Sequence, residues 1–351
     1  MTCRLGECTA DSYRVVVRDR TGAEIVELSD YTDLTWDRRL DDISQAQVTL
    51  PANSSCCGKL ANVYPWRHEI AISRDSDEVW VGPIRQIGDC TSGMIIKATD
   101  VLGWLERRVI HNDHDWTVAL LGAVQAAEEL VIDGFAPDDP DVLKWLTTYG
   151  TGVIGGRSYL ANSKYVYDAL KDLAQGSLDF TTIGRRIVLM ESGYELSRTT
   201  LLTCDHFQGD VCTAVDGDDA ATRTIVTGTG VTGTAGGVDP YFGLVELLVD
   251  DDRIGRQATA DDQAAGLLEG RNPPPLLVQP PQGAGLAPDA PLCLADLVPG
   301  VTVPVSVNCT CRPALQDMRL TQLSVTVNDS GETIAPTLAP LGYSGSTGGT
   351  D

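Results

Sequence analysis

The residues of this chain best suited to chemistry fall into a few short clusters. Gly228-Thr-Gly-Val-Thr-Gly233 has the GxGxxG spacing that lets a backbone approach a pyrophosphate, follows a strand-like run, and has Asp250 downstream at about the distance of a ribose contact. A dinucleotide fold needs a helix to open at the third glycine. Here Thr234-Ala-Gly-Gly-Val-Asp-Pro240 supplies two more glycines and a proline, so the motif reads as a loop between strands and no cofactor is assigned. His111-Asn-Asp-His-Asp115 brings two imidazoles and two carboxylates into five residues, groups suited to a metal or to proton transfer. Histidines at i and i+3 converge only on a helix, whereas this stretch lies between two helical patterns and reads as a solvated connection. The acidic runs Asp138/Asp139, Asp218/Asp219 and Asp250/Asp251/Asp252 lack the alternate ligands, central glycine and distal glutamate of a calcium loop, and read as solvated turns.

Ten cysteines, at 3, 8, 56, 57, 90, 204, 212, 293, 309 and 311, are scattered without the paired CxxC knuckles of a zinc site. Neither Cys56-Cys57 nor Cys309/Cys311 suits a bridge to its own neighbour, so any disulfide spans a longer range. Most of these thiols read as small buried apolar groups, with at least one disulfide expected in the mature protein. No GxSxG elbow, HExxH helix or protease-type Cys/His signature occurs, and no catalytic, cofactor-binding or metal-ligating residue is assigned.

The elements that would have to position such groups are β-rich. Tyr13 to Leu28 reads as two strands about a turn at Asp19–Gly22, and Leu34, Trp36 and Arg38 alternate with polar partners, as do Ala46, Val48 and Leu50 before Pro51. With 68–73, 78–84 and 94–98 this makes about seven short strands in the first hundred residues, the spacing of a barrel or sandwich. Helical intervals follow: Val101 to Val109 behind the capping Asp100, Trp116 to Ile132 with Val118, Leu121, Val124, Ala127, Leu130 and Val131 on one face, and Ser163 to Gln175 with Val166, Leu170 and Leu173. They flank a Gly-rich loop, Tyr149 to Gly156, and lead into strands at 178–182 and 186–190. Beyond Leu201, strands at 224–227, 243–249, 301–307 and 320–327 enclose a helix over Asp261–Arg271 and a Pro273-Pro-Pro crossover. Trp36, Trp66, Trp80 and Trp104 fit these patterns as core residues, and none reads as a receptor contact.

Composition narrows the function. The 351 residues carry 26 Lys and Arg against 49 Asp and Glu, a formal charge of −23, which repels phosphate and argues against sequence-independent nucleic-acid grip. The N-terminus lacks the apolar core of a signal peptide, and no run approaches the ~18 apolar residues that cross a bilayer, so synthesis and folding in a cytosol are expected.

The ordered stretches Arg18-Asp-Arg-Thr-Gly22, Thr35-Trp-Asp-Arg-Arg-Leu-Asp-Asp-Ile-Ser44, Cys56-Cys57, Pro65-Trp-Arg-His-Glu69, Val79-Trp-Val-Gly-Pro83 and Ala98-Thr-Asp-Val-Leu-Gly-Trp-Leu-Glu-Arg-Arg108 resemble the tail-tip minor tail proteins of actinobacterial siphoviruses, within the broad baseplate-hub family. Leu178-Asp-Phe-Thr-Thr-Ile-Gly-Arg-Arg-Ile187, Asp239-Pro-Tyr-Phe-Gly243 and Leu297-Val-Pro-Gly300 extend the resemblance over most of the chain. It implies a β-dominated α+β protein of two tail-tube-like β-barrel units with a helical α/β insertion, assembling as a homotrimeric ring. The expected divisions are a barrel over 1–110, an α+β insertion over 111–200, a second barrel unit over 201–343 and a flexible tail over 344–351. The resemblance further implies a non-enzymatic virion component at the tail tip, joining the distal tail protein ring to the central tip and contacting the tape measure protein and other minor tail proteins. DNA would pass through the assembly without sequence-specific binding, and no stable membrane insertion is expected. An acidic lumen would keep passing DNA from adhering. Two alternatives stand beside it. A cell-wall-degrading tail enzyme would need two carboxylates in a cleft, and a receptor- or carbohydrate-binding tail protein would need an exposed aromatic platform.

Overall fold

In a computed structural model that describes residues 13–75, 77–117, 121–138, 140–152, 157–215, 217, 220–251, 254–269, 271–272, 276–281 and 283–341, the chain opens with the expected hairpin of β1 (Tyr13–Asp19) and β2 (Glu24–Glu27). Asp19 sets its turn by accepting the N–H groups of Thr21 and Ala23, and Gly22 supplies the left-handed φ of +86°. Then come β3 (Asp33–Arg39), β4 (Gln45–Pro51), the single turn α1 (Cys57–Leu60), β5 (His68–Arg74), β6 (Asp77–Cys90) and β7 (Gly93–Thr99). The long β6 serves two ladders. Its first half pairs with β5, its second half with β7, and the register slips between Ile84 and Gln86. Gly82 sits at this change of partner, where a Cβ would stand 1.8 Å from the Thr99 carbonyl oxygen, so only glycine fits.

A 3-10 helix (Val101–Arg107) follows, capped by the Asp100 carboxylate, which accepts the Leu102 N–H. After the short β8 (His114–Asp115) come α2 (Ala123–Phe135), β9 (Leu146–Tyr149), β10 (Ser158–Tyr159), α3 (Val166–Ala174), β11 (Leu178–Ile183), β12 (Arg186–Glu191) and β13 (Leu202–Thr203). The helix read from Trp116 begins only at Ala123, and part of the intervening stretch, Val118 included, lies outside the described residues. The inward positions of α2 and α3 pack on the sheet β11-β12-β9, burying Leu130, Phe135, Leu170, Phe180 and Leu189 in one cluster.

Strands β14 (Cys212–Val215), β15 (Arg223–Gly228), β16 (Val231–Gly236), β17 (Glu246–Asp250) and β18 (Leu276–Gln279), with α4 (Gln257–Glu269), belong to a second unit drawn from 210–281, 304–318 and 340–351. The first unit takes in the described residues within 1–209, 282–303 and 319–339. In the second, the sheet β16-β15-β17 is covered on one face by α4 over a small core of Val226, Ile254, Ala260 and Ala264. The helix starts four residues earlier than the acidic pattern at Asp261 suggests, and the Pro273 crossover lies outside the described residues.

Late strands β19 (Thr302–Val307), β20 (Ala314–Asn328) and β21 (Gly331–Pro340) return to the first sheet, where β20 pairs antiparallel with β3 from Gln322↔Arg39 to Asn328↔Asp33. The result is one eleven-stranded sheet, ordered β13-β19-β20-β3-β4-β7-β6-β5-β1-β2 with β21 on β20. β-Dominance is as expected, but the hydrogen-bonded path stays open among the described residues, where two closed barrels were expected. Pairing across nearly 300 residues of sequence leaves no mark in local periodicity. At one end, β2 carries Glu24 and Glu27, both ion-paired to Arg14, and such charges discourage edge pairing.

The sheet curls enough for side chains to bridge strands that share no ladder. Tyr13 of β1 donates its hydroxyl to Glu332 of β21, and Arg74 of β5 pairs with the same carboxylate at 2.8 Å. Burial, chiefly, raises the Tyr13 pKa, so the phenol stays protonated. Inside lie Trp36 and Trp80, both nearly fully buried, and between β3 and β6 the buried Arg38 donates to the carbonyls of Val79 at 2.9 Å and Leu297 at 3.3 Å. Desolvation lowers its pKa to about 10, which leaves it charged at neutral pH.

The insertion is fastened to this sheet by buried acids. Asp100 also accepts the Ser44 N–H and the Thr182 hydroxyl, each at 2.9 Å, and desolvation raises its pKa to about 6. Asp41, at φ +57°, exchanges hydrogen bonds with the Phe180 backbone, its carboxylate accepting the N–H and its own N–H donating to the carbonyl. Burial and then the neighbouring Asp179 charge push its pKa well above the usual carboxylate range.

Candidate functional site

The histidine cluster is drawn together, but around structural work. Asp133 of α2, 5% exposed, accepts the backbone N–H of His111 at 2.5 Å and the side-chain amide of Asn112. The His111 Nδ1 lies 3.0 Å from the Asp133 carbonyl oxygen, while the imidazoles of His111 and His114 both stand 3.9 Å from its carboxylate, outside hydrogen-bonding range. Asp113 accepts the Ala161 N–H and Asp115 caps Thr117. Each acid thus holds backbone, and the stretch is the solvated connection expected, exposed at every position but His114 and anchored through these hydrogen bonds. Among the described residues, no group of three or more His, Cys, Asp or Glu side chains could hold a metal ion.

The glycine motif forms the β15–β16 hairpin, with the turn at Gly230. Two of its glycines are required by close packing: a Cβ on Gly228 would stand 2.3 Å from the carbonyl oxygen of Ile254, ahead of α4, and one on Gly233 would stand 2.2 Å from the Ala260 backbone within α4. Asp250 accepts a hydrogen bond from Thr227 at 2.8 Å. The third-glycine position begins no helix and lies within β16.

Of the acidic pairs, Asp138 lies in an exposed turn, as expected, and is also ion-paired there, and Asp139, Asp218, Asp219 and Asp252 lie outside the described residues. Cysteine burial also departs from expectation. Cys56 is buried, but Cys57, Cys90, Cys212 and Cys311 are exposed and Cys293 is intermediate, all as free thiols. Cys204 and Cys309 are disulfide-bonded, and Cys3 and Cys8 lie outside the described residues.

Sequence patterns placed all four early tryptophans in the core, and two of them are only partly buried, Trp104 with one side against the core cluster. Trp66 and Trp104 are half-buried, 5.5 Å apart, in the wall of a cleft of about 500 Å³. Trp66 is held at φ +65°, a backbone conformation uncommon for a bulky residue, with its N–H on the Ile84 carbonyl. Four guanidiniums surround the pair. Arg20 and Arg108 lie 4.6 and 5.7 Å from the Trp104 ring centre, and Arg85 and Arg107 each lie 5.7 Å from that of Trp66. Asp138 closes one side, bound by Arg108 at 2.6 and 3.0 Å and by Arg20 at 2.7 Å. Desolvation works against it, but these two arginines hold its carboxyl below the usual range.

No spacing rule joins residues 20, 66, 104–108 and 138. The one local signal was Trp104 with Arg107, and it was read as part of an α-helical pattern. In the 3-10 turn that forms instead, i and i+3 eclipse, which brings both residues to the cleft.

Two further surfaces stand out. The polar face of β3, β4, β7 and β20 forms a hollow of about 630 Å³ with Thr35, Asp37, Gln47, Lys97 and Thr326 in its lining. In the second unit, Val238, Tyr241 and Leu248 are 75%, 87% and 65% exposed. Asp239 fixes the Tyr241 loop by accepting the N–H groups of Tyr241 and Phe242.

No protein-family model matches the sequence, and no curated protein matches it either. Solved structures do share its fold. A 43 kDa tail protein of prophage MuSo2 from Shewanella oneidensis aligns over 93% of this chain and 98% of its own, with a TM-score of 0.63 at 11% identity. A tail protein of Neisseria meningitidis aligns over 93% and 96%, with a TM-score of 0.60 at 13% identity. An Escherichia coli type VI secretion component, described as similar to the T4 tail proteins gp27 and gp5, aligns over 90% and 74%, with a TM-score of 0.50 at 12% identity. The chain therefore has a phage-tail-protein fold.

Proposed function

We propose that the chain is a structural component of a bacteriophage tail tip: a hub subunit of a long, non-contractile tail, of the kind its sequence resembles in actinobacterial siphoviruses. The observation that carries this reading is the correspondence of fold with two tail proteins, one of them from a prophage, over nearly the full length of both chains. In this reading three copies form a ring at the tail tip of the virion, after synthesis in the host cytoplasm. The ring joins the distal tail protein to the central tip, binds other minor tail proteins and lets the tape measure protein and DNA pass.

The physical features suit such a part. With the β2 edge guarded by charge, the open sheet still has its β13 end to offer a neighbouring copy, and an exposed apolar loop in the second unit suits a subunit contact better than solvent. The charge of −23 opposes adhesion of DNA during passage, and the function proposed is non-enzymatic.

Mass photometry with negative-stain imaging, on the chain alone and with the distal tail protein, tests the reading. A three-membered ring is expected in at least one condition. A monomer that ignores the partner overturns the hub assignment.

A further inference from the structure

The cleft around Trp66 and Trp104 is a positive island on a strongly acidic chain. Arg20, Arg107 and Arg108 line it against one carboxylate, Asp138. Arg107 is exposed, and among the described residues no carboxylate pairs with it; its guanidinium rests over the Trp66 ring. We propose that this cleft is a docking site for a carboxylate-bearing, acidic segment of a partner polypeptide, gripped by Arg107 together with Arg20 and Arg108.

Three observations select that ligand. Asp138 already shows the chemistry, since its carboxylate is clasped by two guanidiniums in charge-assisted, partly bidentate hydrogen bonds. The Trp faces are taken by guanidiniums, so the rings orient the arginines and are not free as platforms for a sugar or a base. A volume of about 500 Å³ admits one or two side chains, the size of a short acidic stretch. The left-handed Trp66 backbone fits this assignment, because strain of that kind persists where a side chain must be held in place. The proposal stands on the cleft alone and does not depend on the tail-tip reading.

The test is a titration of the full chain, followed by tryptophan fluorescence and calorimetry, with acetylated hexaglutamate amide as the probe. Acetylated hexaglutamine amide and a thymidine hexanucleotide serve as controls. Saturable binding of the hexaglutamate is expected, with none of the hexaglutamine. Arg107→Gln should weaken it about tenfold, since one charge-assisted contact is lost, with Arg107→Lys falling between. Asp138→Asn should tighten it several-fold, because the resident carboxylate no longer competes, an outcome that a purely structural clamp would not produce. Should Asp138→Asn fail to fold, Arg107→Gln, at an exposed position, decides. Absence of saturable binding, or binding unchanged in Arg107→Gln, overturns the proposal. Tighter binding of the oligonucleotide, lost in Arg107→Gln, overturns the assignment to a carboxylate.

Discussion

The insertion of the first unit and the sheet of the second are made of similar parts and finished differently. Each has a three-stranded mixed sheet, with one antiparallel hairpin and one parallel neighbour, and helical cover. In the insertion, β11 and β12 are buried on both faces, by Phe180 and Leu189 under the helices and by Thr181, Val188 and Met190 behind them. In the second unit, β17 leaves Leu248 to solvent, and the buried cluster at α4 is only Val226, Ile254 and the helix's own Ala260 and Ala264. One sheet completes its core within its own unit. The other leaves Leu248 and the loop of Val238 and Tyr241 uncovered, as a surface meant for another chain would be.

Three substitutions test that contrast. Phe180→Ala should cost about 3–5 kcal/mol in urea denaturation, as expected for emptying a large buried site. Val226→Ala should cost only about 1–2 kcal/mol, on the basis of about 0.8 kcal/mol per buried methylene and its small neighbours. Equal losses would break the comparison. Gly233→Ala places a methyl against the Ala260 backbone, and overpacking of this kind costs about 1–3 kcal/mol. Hydrogen exchange should then quicken in α4 while the amides of β11 and β12 keep their protection; loss of protection in both would mean the two units do not open separately.

The smallest effect sharpens the contrast electrostatically. Among the described residues, the carboxyls with raised pKa all lie in the first unit: Asp37, Asp41, Glu69 and Asp100. A raised folded pKa means that the folded state binds more protons than the unfolded one between the two values. Stability from that group therefore falls as pH rises through this window and levels off above the folded pKa. Asp41→Asn keeps a left-handed residue that Asn tolerates, retains an acceptor for the Phe180 N–H, and removes the repulsion with Asp179. It should stabilise the protein by about 1 kcal/mol at pH 8 and by nothing near pH 4, measured by urea denaturation at both. A gain that does not change with pH would assign the effect to packing.

How much of this was legible depended on the range of the interaction. The helical face of Val166, Leu170 and Leu173 is local, and all three are buried where their spacing placed them. The seven strands of the first hundred residues are likewise local alternations, and all seven form. The Asp100 cap was readable, but the turn behind it took the 3-10 form, for which the α-period is the wrong ruler. The exposed cysteines defeated a residue-type expectation, since burial is a property of the finished surface.

The cleft shows the limit most plainly. Its tryptophans and arginines stand in the sequence as ordinary strand and helix residues. They become a charged hollow only when the β1–β2 turn, the residues before β5, the 3-10 helix and the end of α2 converge. By itself the sequence determined a β-dominated chain, its local strands and helices and its acidity, because these depend on composition and on neighbours within a few residues. Only the tertiary structure decided that β20 pairs with β3, that Gly233 lies against the α4 backbone, and which arginines share a cleft. Each of those depends on contacts whose partners lie far apart in the chain, and periodicity carries no record of them.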